Sequence, residues 1–262
     1  KKGLNDMDYI KEFYNNYDED GRLTDKKHLP EFLITMNYIL RYLSPNAKIL
    51  ETGAGAGRYS IALAEKGYDI TAVEFVPHNI EIMKTKVKCN HRITIYEGNA
   101  CNLDFLKNES FDIVLLLGPM YHLFNDEDKH SAISEALRVV KKKGIVFSAY
   151  CNSDTTVLNA FEKRNFIEYY EKGMIDKSFH TVSKPSDVFE LYRKEDIDRL
   201  MQSFNVKRLH YVSTDLVTYM ISSINDFTDK EFSMYMTYLL SICERPDMAG
   251  LSFHMLDIFR KN

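Results

Sequence analysis

At 262 residues the chain is long enough to bury a sizeable core as one large α/β domain, and a composition of 45% hydrophobic and 27% charged residues is that of an ordinary globular protein. A formal net charge of −4 and a pI near 6.1 argue against a nucleic-acid substrate, which would need clustered lysine and arginine. No run approaches the ~20 apolar residues of a membrane span, no signal-peptide pattern opens the chain, and Cys89, Cys101, Cys151 and Cys243 have no C-x-x-C spacing, so the expectation is a cytoplasmic protein with reduced thiols.

In chain order, Asp8–Asp20 reads as a short helix carrying Tyr9, Phe13, Tyr14 and Tyr17. Pro30–Leu43 reads as a stronger one, with Phe32, Leu33, Met36, Ile39, Leu40 and Leu43 on one stripe. Lys48–Glu51 is a short apolar run, a buried strand, and Tyr59–Lys66 is a helix stopped by Gly67. Between them Gly53, Gly55 and Gly57 let the chain reverse tightly and let a ligand lie against bare backbone. The following helix starts with unpaired N–H groups, which suits an anionic or nucleotide-like ligand. A dinucleotide fingerprint would want a third glycine where Arg58 stands, and no Gly-Lys-Ser/Thr ending marks a phosphate loop. Ile70–Phe75 is a second strand whose acid, Glu74, lies twenty-one positions after Gly53, about where a nucleotide-binding βαβ unit places its ribose carboxylate. Ile93–Glu97 is a third strand, followed by Gly98-Asn99-Ala100; Phe111–Gly118 is a fourth and wholly apolar one, followed by Pro119–Leu123. A helix over Asp126–Val140, a turn at Lys143-Gly144 and a fifth strand over Ile145–Tyr150 complete five strand–helix alternations, the pattern of a parallel sheet covered on both faces.

The pattern Glu51-x-Gly53-x-Gly55-x-Gly57, the acid Glu74, the polar pair Asn99-Ala100 and the segment Pro119–Leu123 stand in the order and spacing of the class I S-adenosylmethionine-dependent methyltransferases, which this chain resembles strongly over residues 48–150 and weakly elsewhere. The resemblance implies a Rossmann-like, doubly wound, seven-stranded and mostly parallel sheet. Its last strand, Ser252–Arg260, would be antiparallel and inserted between the fifth and the sixth, Val206–Val212. It implies S-adenosyl-L-methionine as cofactor, leaving as S-adenosyl-L-homocysteine, with Glu74 on the ribose and Asn99 and Ala100 on the adenine. Asn99 replaces the commoner acid but keeps a carbonyl acceptor. The implied cofactor set also takes in Glu51 (unless it only ties down the loop by accepting backbone N–H groups), Gly53, Ala54, Gly55, Arg58 and Tyr59 around the loop, Phe75 after the second strand, and Leu117 and Gly118 after the fourth. Family members often fold a segment preceding the first strand over the cofactor. Tyr14, Tyr17 and Arg22 would then close the site, rings near the sulfonium and guanidinium on the carboxylate, unless these tyrosines merely pack their helix.

The whole chain thus reads as one methyltransferase domain with an N-terminal helical lid (residues 1–45) and two cap insertions (152–191 and 216–242). Both insertions leave the carboxyl edge of the sheet and are rich in aromatic residues or methionine. They are expected to pack on each other and to roof an apolar pocket that admits a small-molecule methyl acceptor and excludes macromolecules, unless they instead extend the core or form a dimer interface. Transfer from a sulfonium needs alignment and, for a protonated nucleophile, a base. Tyr121 and His122 are the catalytic candidates, Tyr121 to orient the acceptor and His122 as base, against the plainer reading of a packed loop histidine. Glu171 and His180 are weaker candidates in the first insertion. The eight histidines form no H-E-x-x-H pair, so no metal site is expected, and the basic runs Lys84–Lys88 and Lys141–Lys143 read as solvated surface. An NAD-linked oxidoreductase and a non-catalytic S-adenosylmethionine-binding protein remain as alternatives, and a monomer or a homodimer is equally compatible with the sequence.

Overall fold

The computed structural model describes residues 6–21 and 24–262. Arg22, assigned above to the cofactor, lies outside them. Helices α1 (Asp6–Asn16) and α2 (Leu29–Tyr42) precede the sheet. Strands β1 (Lys48–Thr52), β2 (Asp69–Glu74), β3 (Arg92–Glu97), β4 (Phe111–Leu116) and β5 (Val140–Asn152) then alternate with α3 (Arg58–Glu65), α4 (Pro77–Lys86) and α5 (Asp126–Val139). The first insertion holds α6 (Ser153–Glu162) and α7 (Phe166–Glu171) and ends in β6 (Leu191–Tyr192). Helix α8 (Lys194–Met201), β7 (Val206–Ser213), α9 (Asp229–Ile242) and β8 (His254–Lys261) complete the chain.

The main sheet runs β3-β2-β1-β4-β5-β8-β7, with β1 to β5 parallel where they pair and β8 antiparallel to both β5 and β7. The expected seven-strand order is therefore present. An eighth strand, β6, adds two residues parallel to Cys151 and Asn152 at the end of β5. The expected turn at Lys143-Gly144 is instead an irregularity inside β5: Val140 already pairs Phe111, the register shifts, and Lys143 sits at φ 63°. Gly144 is required there because a Cβ would stand 2.6 Å from Val140 Cγ2 and 2.9 Å from the Asp112 carbonyl oxygen.

Successive side chains of a strand point to opposite faces, and the two cores divide accordingly. Ile49, Ile113, Leu115, Phe147 and Ile258 pack against Ile34 and Ile39 of α2, Leu63 of α3 and Leu239 of α9. Leu50, Val114, Leu116, Val146 and Phe259 pack against Ile133 and Ala136 of α5 and Ile197 of α8. For α9 of the second insertion the alternative to a roof applies: Phe232, Met236, Leu239 and Ile242 place it in the first core, so this helix extends the core. Its apolar stripe packs into the same core cluster as Ile34 and Ile39 of α2.

Candidate active site

The right-handed crossovers of a parallel sheet bring the ends of β1, β2 and β4 to one edge, at the point where the strand order reverses. The glycine loop after β1 turns there. Gly53 sits at φ 65°, and a Cβ would meet Pro119 Cδ at 2.7 Å, so only glycine lets the loop lie against the segment after β4. Gly55 sits at φ 53° and donates its N–H to Glu74 Oε2 at 2.7 Å. The other oxygen of Glu74 accepts from the N–H of Val76 at 2.8 Å and from Asn79 Nδ2 at 3.5 Å. Burial pushes the Glu74 carboxyl up, against the lowering effect of these donors.

A cleft opens over this edge. Gly53, Gly55, Glu74, Phe75, Gly98, Asn99, Ala100, Gly118, Tyr121 and His122 line it from the sheet side, and Met7, Ile10, Tyr14 and Glu19 from the N-terminal segment. Helix α1 is held across the cleft by Lys11, whose Nζ lies 4.6 Å from the centre of the Phe75 ring, and by the Tyr14 hydroxyl, 2.9 Å from His122 Nε2. Asn79, missed in the sequence, also lines the cleft. It is almost fully buried, and its Oδ1 has no hydrogen-bond partner among the described residues. A buried acceptor of this kind calls for a donor from a ligand. The signal was its place in the first turn of α4, five residues after Glu74.

Several implied cofactor residues stand elsewhere. Glu51 accepts from the Ser60 hydroxyl beneath the loop, and burial pushes its carboxyl up to about 8, with the Glu74 charge adding and Ser60 opposing. It does not line the cleft, because its position on β1 turns it toward α3. Ala54, Tyr59 and Leu117 are buried in the core, and Arg58 lies 4.4 Å over the Phe32 ring on the surface. Asn99 lines the cleft, but its Oδ1 already accepts from the Cys101 N–H at 2.9 Å, leaving one lone-pair direction for a ligand. Outside the cleft too, His180 bonds Asp196 Oδ2 at 2.7 Å and Glu171 is exposed on α7.

His122 differs most from expectation. Its Nδ1 must donate to the Val188 carbonyl oxygen, 2.7 Å away, so Nε2 is the acceptor of the Tyr14 hydroxyl. Burial lowers its pKa to about 4, the Val188 bond opposing, so it is a neutral, doubly bonded imidazole and a poor base near neutral pH. It ties α1, the turn Pro119–His122 and the first insertion together.

A second cavity of about 170 Å³ adjoins the cleft and shares Tyr14, Glu19 and Tyr121 with it. Tyr17, Phe189, Tyr219 and Phe253 add aromatic rings, and His28, Cys151 and His254 add polar atoms. Tyr17 therefore belongs to this cavity and not to the cofactor cleft. Each cap insertion supplies one ring, Phe189 from the first and Tyr219 from the second. At its floor His254 Nδ1 lies 2.6 Å from Asp215 Oδ2 and 3.3 Å from Glu31 Oε2; burial opposes a charge there, but the two carboxylates outweigh it and raise its pKa well above the ordinary value. No group of described residues has the makings of a metal site, and no helix among them is long and apolar enough to cross a membrane.

Comparison with known proteins agrees with this geometry. A ubiquinone biosynthesis O-methyltransferase of Rickettsia akari is 25% identical over 169 residues, 63% of this chain and 63% of that protein. A glycine/sarcosine N-methyltransferase of Parasynechococcus marenigrum is 26% identical over 154 residues, 56% of this chain and 52% of that protein. The matches thus span between about half and two thirds of these curated relatives. Among solved structures, phosphoethanolamine N-methyltransferase 1 of Haemonchus contortus, in complex with phosphoethanolamine and S-adenosylhomocysteine, superposes with a TM-score of 0.60 at 15% identity, over 97% of this chain and 48% of that one. A methyltransferase of Methanosarcina mazei superposes with a TM-score of 0.59 at 16% identity, over 86% of this chain and 96% of that one. The profile of the methyltransferase domain family matches residues 49–144, the stretch that carries the glycine loop, Glu74, Asn99 and the Pro119–His122 turn. With the antiparallel β8 between β5 and β7, this stands against the NAD-linked alternative: residues 49–144 are a match to the methyltransferase domain family, and the fold around them is that of the S-adenosylmethionine-dependent methyltransferases the chain is similar to.

Proposed function

We propose that this protein transfers a methyl group from S-adenosylmethionine to a small-molecule acceptor, with the cofactor in the cleft over β1, β2 and β4 and the acceptor in the adjoining aromatic cavity. The observation that carries the reading is the joining of the two spaces through Tyr14, Glu19 and Tyr121 beneath α1. The cleft fits the cofactor by its donor set. Glu74 and the unpartnered Asn79 Oδ1 offer acceptors to ribose hydroxyls, Asn99 and the Ala100 backbone face the adenine, and Gly53 and Gly55 leave backbone exposed to the amino-acid end. The bound cofactor supplies an already activated methyl group, so the protein's own task is to align the acceptor and exclude water. Helix α1, His122 and the first insertion close the cleft through the Tyr14–His122–Val188 chain of hydrogen bonds.

A cavity of about 170 Å³ fits a compact acceptor, since an engineered cavity of roughly 150 Å³ holds benzene, and a folded macromolecule would be excluded. The ubiquinone-pathway and glycine/sarcosine methyltransferases it resembles are consistent with an O- or N-acceptor. The test has two parts: calorimetry with S-adenosylhomocysteine, and a screen of small hydroxyl and amine acceptors for S-adenosylhomocysteine release. Binding without turnover of any acceptor would support a non-catalytic binding protein. Absence of binding would overturn the cofactor site itself.

A further inference from the structure

Three histidines face the joined cleft and cavity, and their surroundings give them different chemistry. His122 has both ring nitrogens bonded within the protein. His254 is gripped through Nδ1 by Asp215 and Glu31 and is held as imidazolium, with no lone pair to offer. His28, just before α2, lies in the wall of the aromatic cavity, with its ring edge-on to Tyr219 at 5.5 Å. Its Nδ1 stands 2.5 Å from Asp25 Oδ1, and a carboxylate only accepts, so in the neutral ring Nδ1 carries the hydrogen and Nε2 the lone pair. Among the described residues nothing bonds Nε2. Asp25 is itself fixed: Oδ1 takes the His28 backbone N–H at 3.0 Å, and Oδ2 lies 3.4 Å from Asn225 Nδ2 in the second insertion. Burial would raise the Asp25 carboxyl, but the hydrogen bonds from His28 and Asn225 outweigh it and hold it below the ordinary carboxylate range, ionised.

We propose that His28, oriented by Asp25, is the proton acceptor for the methyl acceptor, and that the aromatic cavity takes a ring-sized molecule whose nucleophilic atom bears a hydrogen, a hydroxyl or an amine. Carboxylate, imidazole and an open lone pair are the arrangement by which a base is oriented and its tautomer fixed. Resting on the methyl transfer proposed above, the step balances. The acceptor's oxygen or nitrogen bonds the methyl carbon, and the sulfur–methyl bond breaks with its electron pair staying on sulfur. The acceptor's proton passes to His28 Nε2 and from this half-buried ring to water. Asp25 is a positioning residue. The charged and titratable groups around His28 are Asp25 on its own segment, Lys27 beside Tyr219, and, lining the same cavity, Glu19, Cys151, His254 and the hydroxyls of Tyr14, Tyr17, Tyr121 and Tyr219.

The experiment uses the full chain saturated with S-adenosylhomocysteine, with 4-fluorophenol and fluorobenzene as probes, read by fluorine NMR and by nitrogen-15 signals of the histidine rings. The expectation is about tenfold tighter binding of the phenol, the worth of one hydrogen bond, with a shift at His28 Nε2. His28→Leu should bring the two probes to within about threefold. Asp25→Asn should move the His28 tautomer populations, which a merely structural Asp25 would leave alone; wild-type nitrogen shifts report the same contact should His28→Leu fail to fold. Equal binding of the two probes, binding of neither, or a phenol preference that survives His28→Leu would overturn the proposal. Failure to bind S-adenosylhomocysteine would instead overturn the cofactor reading.

Discussion

Replacing Glu74 is the sharpest test of how the glycine loop and the cofactor cleft are coupled. Its carboxylate takes the Gly55 N–H at 2.7 Å and the Val76 N–H at 2.8 Å, and it lines the cleft where ribose hydroxyls are expected. Glu74→Ala removes the ribose acceptor and leaves both donors without it. A hydrogen bond to a charged group contributes roughly 1.5–3 kcal/mol, so losing the ribose contact alone weakens S-adenosylhomocysteine by about 10- to 150-fold. Release of the Gly55 N–H adds to this by loosening the loop. Glu74→Gln separates the two effects: one amide oxygen still accepts, while the amide nitrogen must face a backbone N–H, donor against donor. Its loss of affinity should therefore fall between wild type and alanine. Titration calorimetry on folded variants, checked by circular dichroism, gives the three dissociation constants. An alanine variant binding within about twofold of wild type would refute both the ribose assignment and the coupling, because even one such bond is worth more than that.

Gly55→Val should abolish S-adenosylhomocysteine binding while retaining the fold, since the position has φ 53° and a Cβ there lies 3.3 Å from Glu19; calorimetry and circular dichroism together check it. Glu51, raised from 4.5 to about 8 by burial, keeps its proton in the folded state where the unfolded chain releases it. Its contribution is complete below pH 4.5 and is lost as pH rises through 8, on the order of 5 kcal/mol at the extreme; Glu51→Gln should flatten the stability profile measured by urea unfolding over that range. His122, lowered from 6.5 to about 4 by burial, works with the opposite sign: its contribution is complete above pH 6.5 and is lost as pH falls through 4. Nitrogen-15 NMR should show its ring neutral at pH 5.5. Tyr14→Phe removes the hydroxyl bonded to His122 Nε2 and should raise amide exchange across α1, with a loss of about 1 kcal/mol in stability.

The legible half of this molecule is the half whose pattern is local. Strands β1, β4 and β5 are buried on both faces, so their apolar runs stand out without alternation, and the glycine spacing reports backbone conformations that other residues would strain. What α9 packs against was not legible. The stripe Phe232, Met236, Leu239 and Ile242 announces an amphipathic helix but says nothing of whether sheet or cleft receives it. The bond from His122 to Val188 spans sixty-six positions, and no local spacing encodes it. That bond decides whether His122 is a base or a tie.

Glu51 and Glu74 show the same boundary within a single motif. Both are acids at the ends of neighbouring strands, both are buried, and the family pattern assigns both to the cofactor. The structure separates them by facing: Glu51 turns to Ser60 under the helix start, while Glu74 turns to the loop amides and the cleft. Facing is fixed by strand register, which is set by the whole sheet and not by the motif. The aromatic cavity, proposed above for the acceptor, shows the same boundary on a larger scale. Tyr14, His28, Tyr121, Cys151, Phe189, Tyr219 and Phe253 come from well-separated segments that meet only because the topology brings the loops after β4 and β5, the segment after β7 and the start of β8 to one edge. A cofactor shared across a family can be held by one contiguous motif. An acceptor particular to one enzyme is held by whatever the surrounding segments bring to that edge. The Asp25-x-x-His28 spacing stands in the sequence as plainly as the glycine loop, yet it acquires a chemical reading only once Tyr219 and Phe253, about two hundred positions on, enclose it.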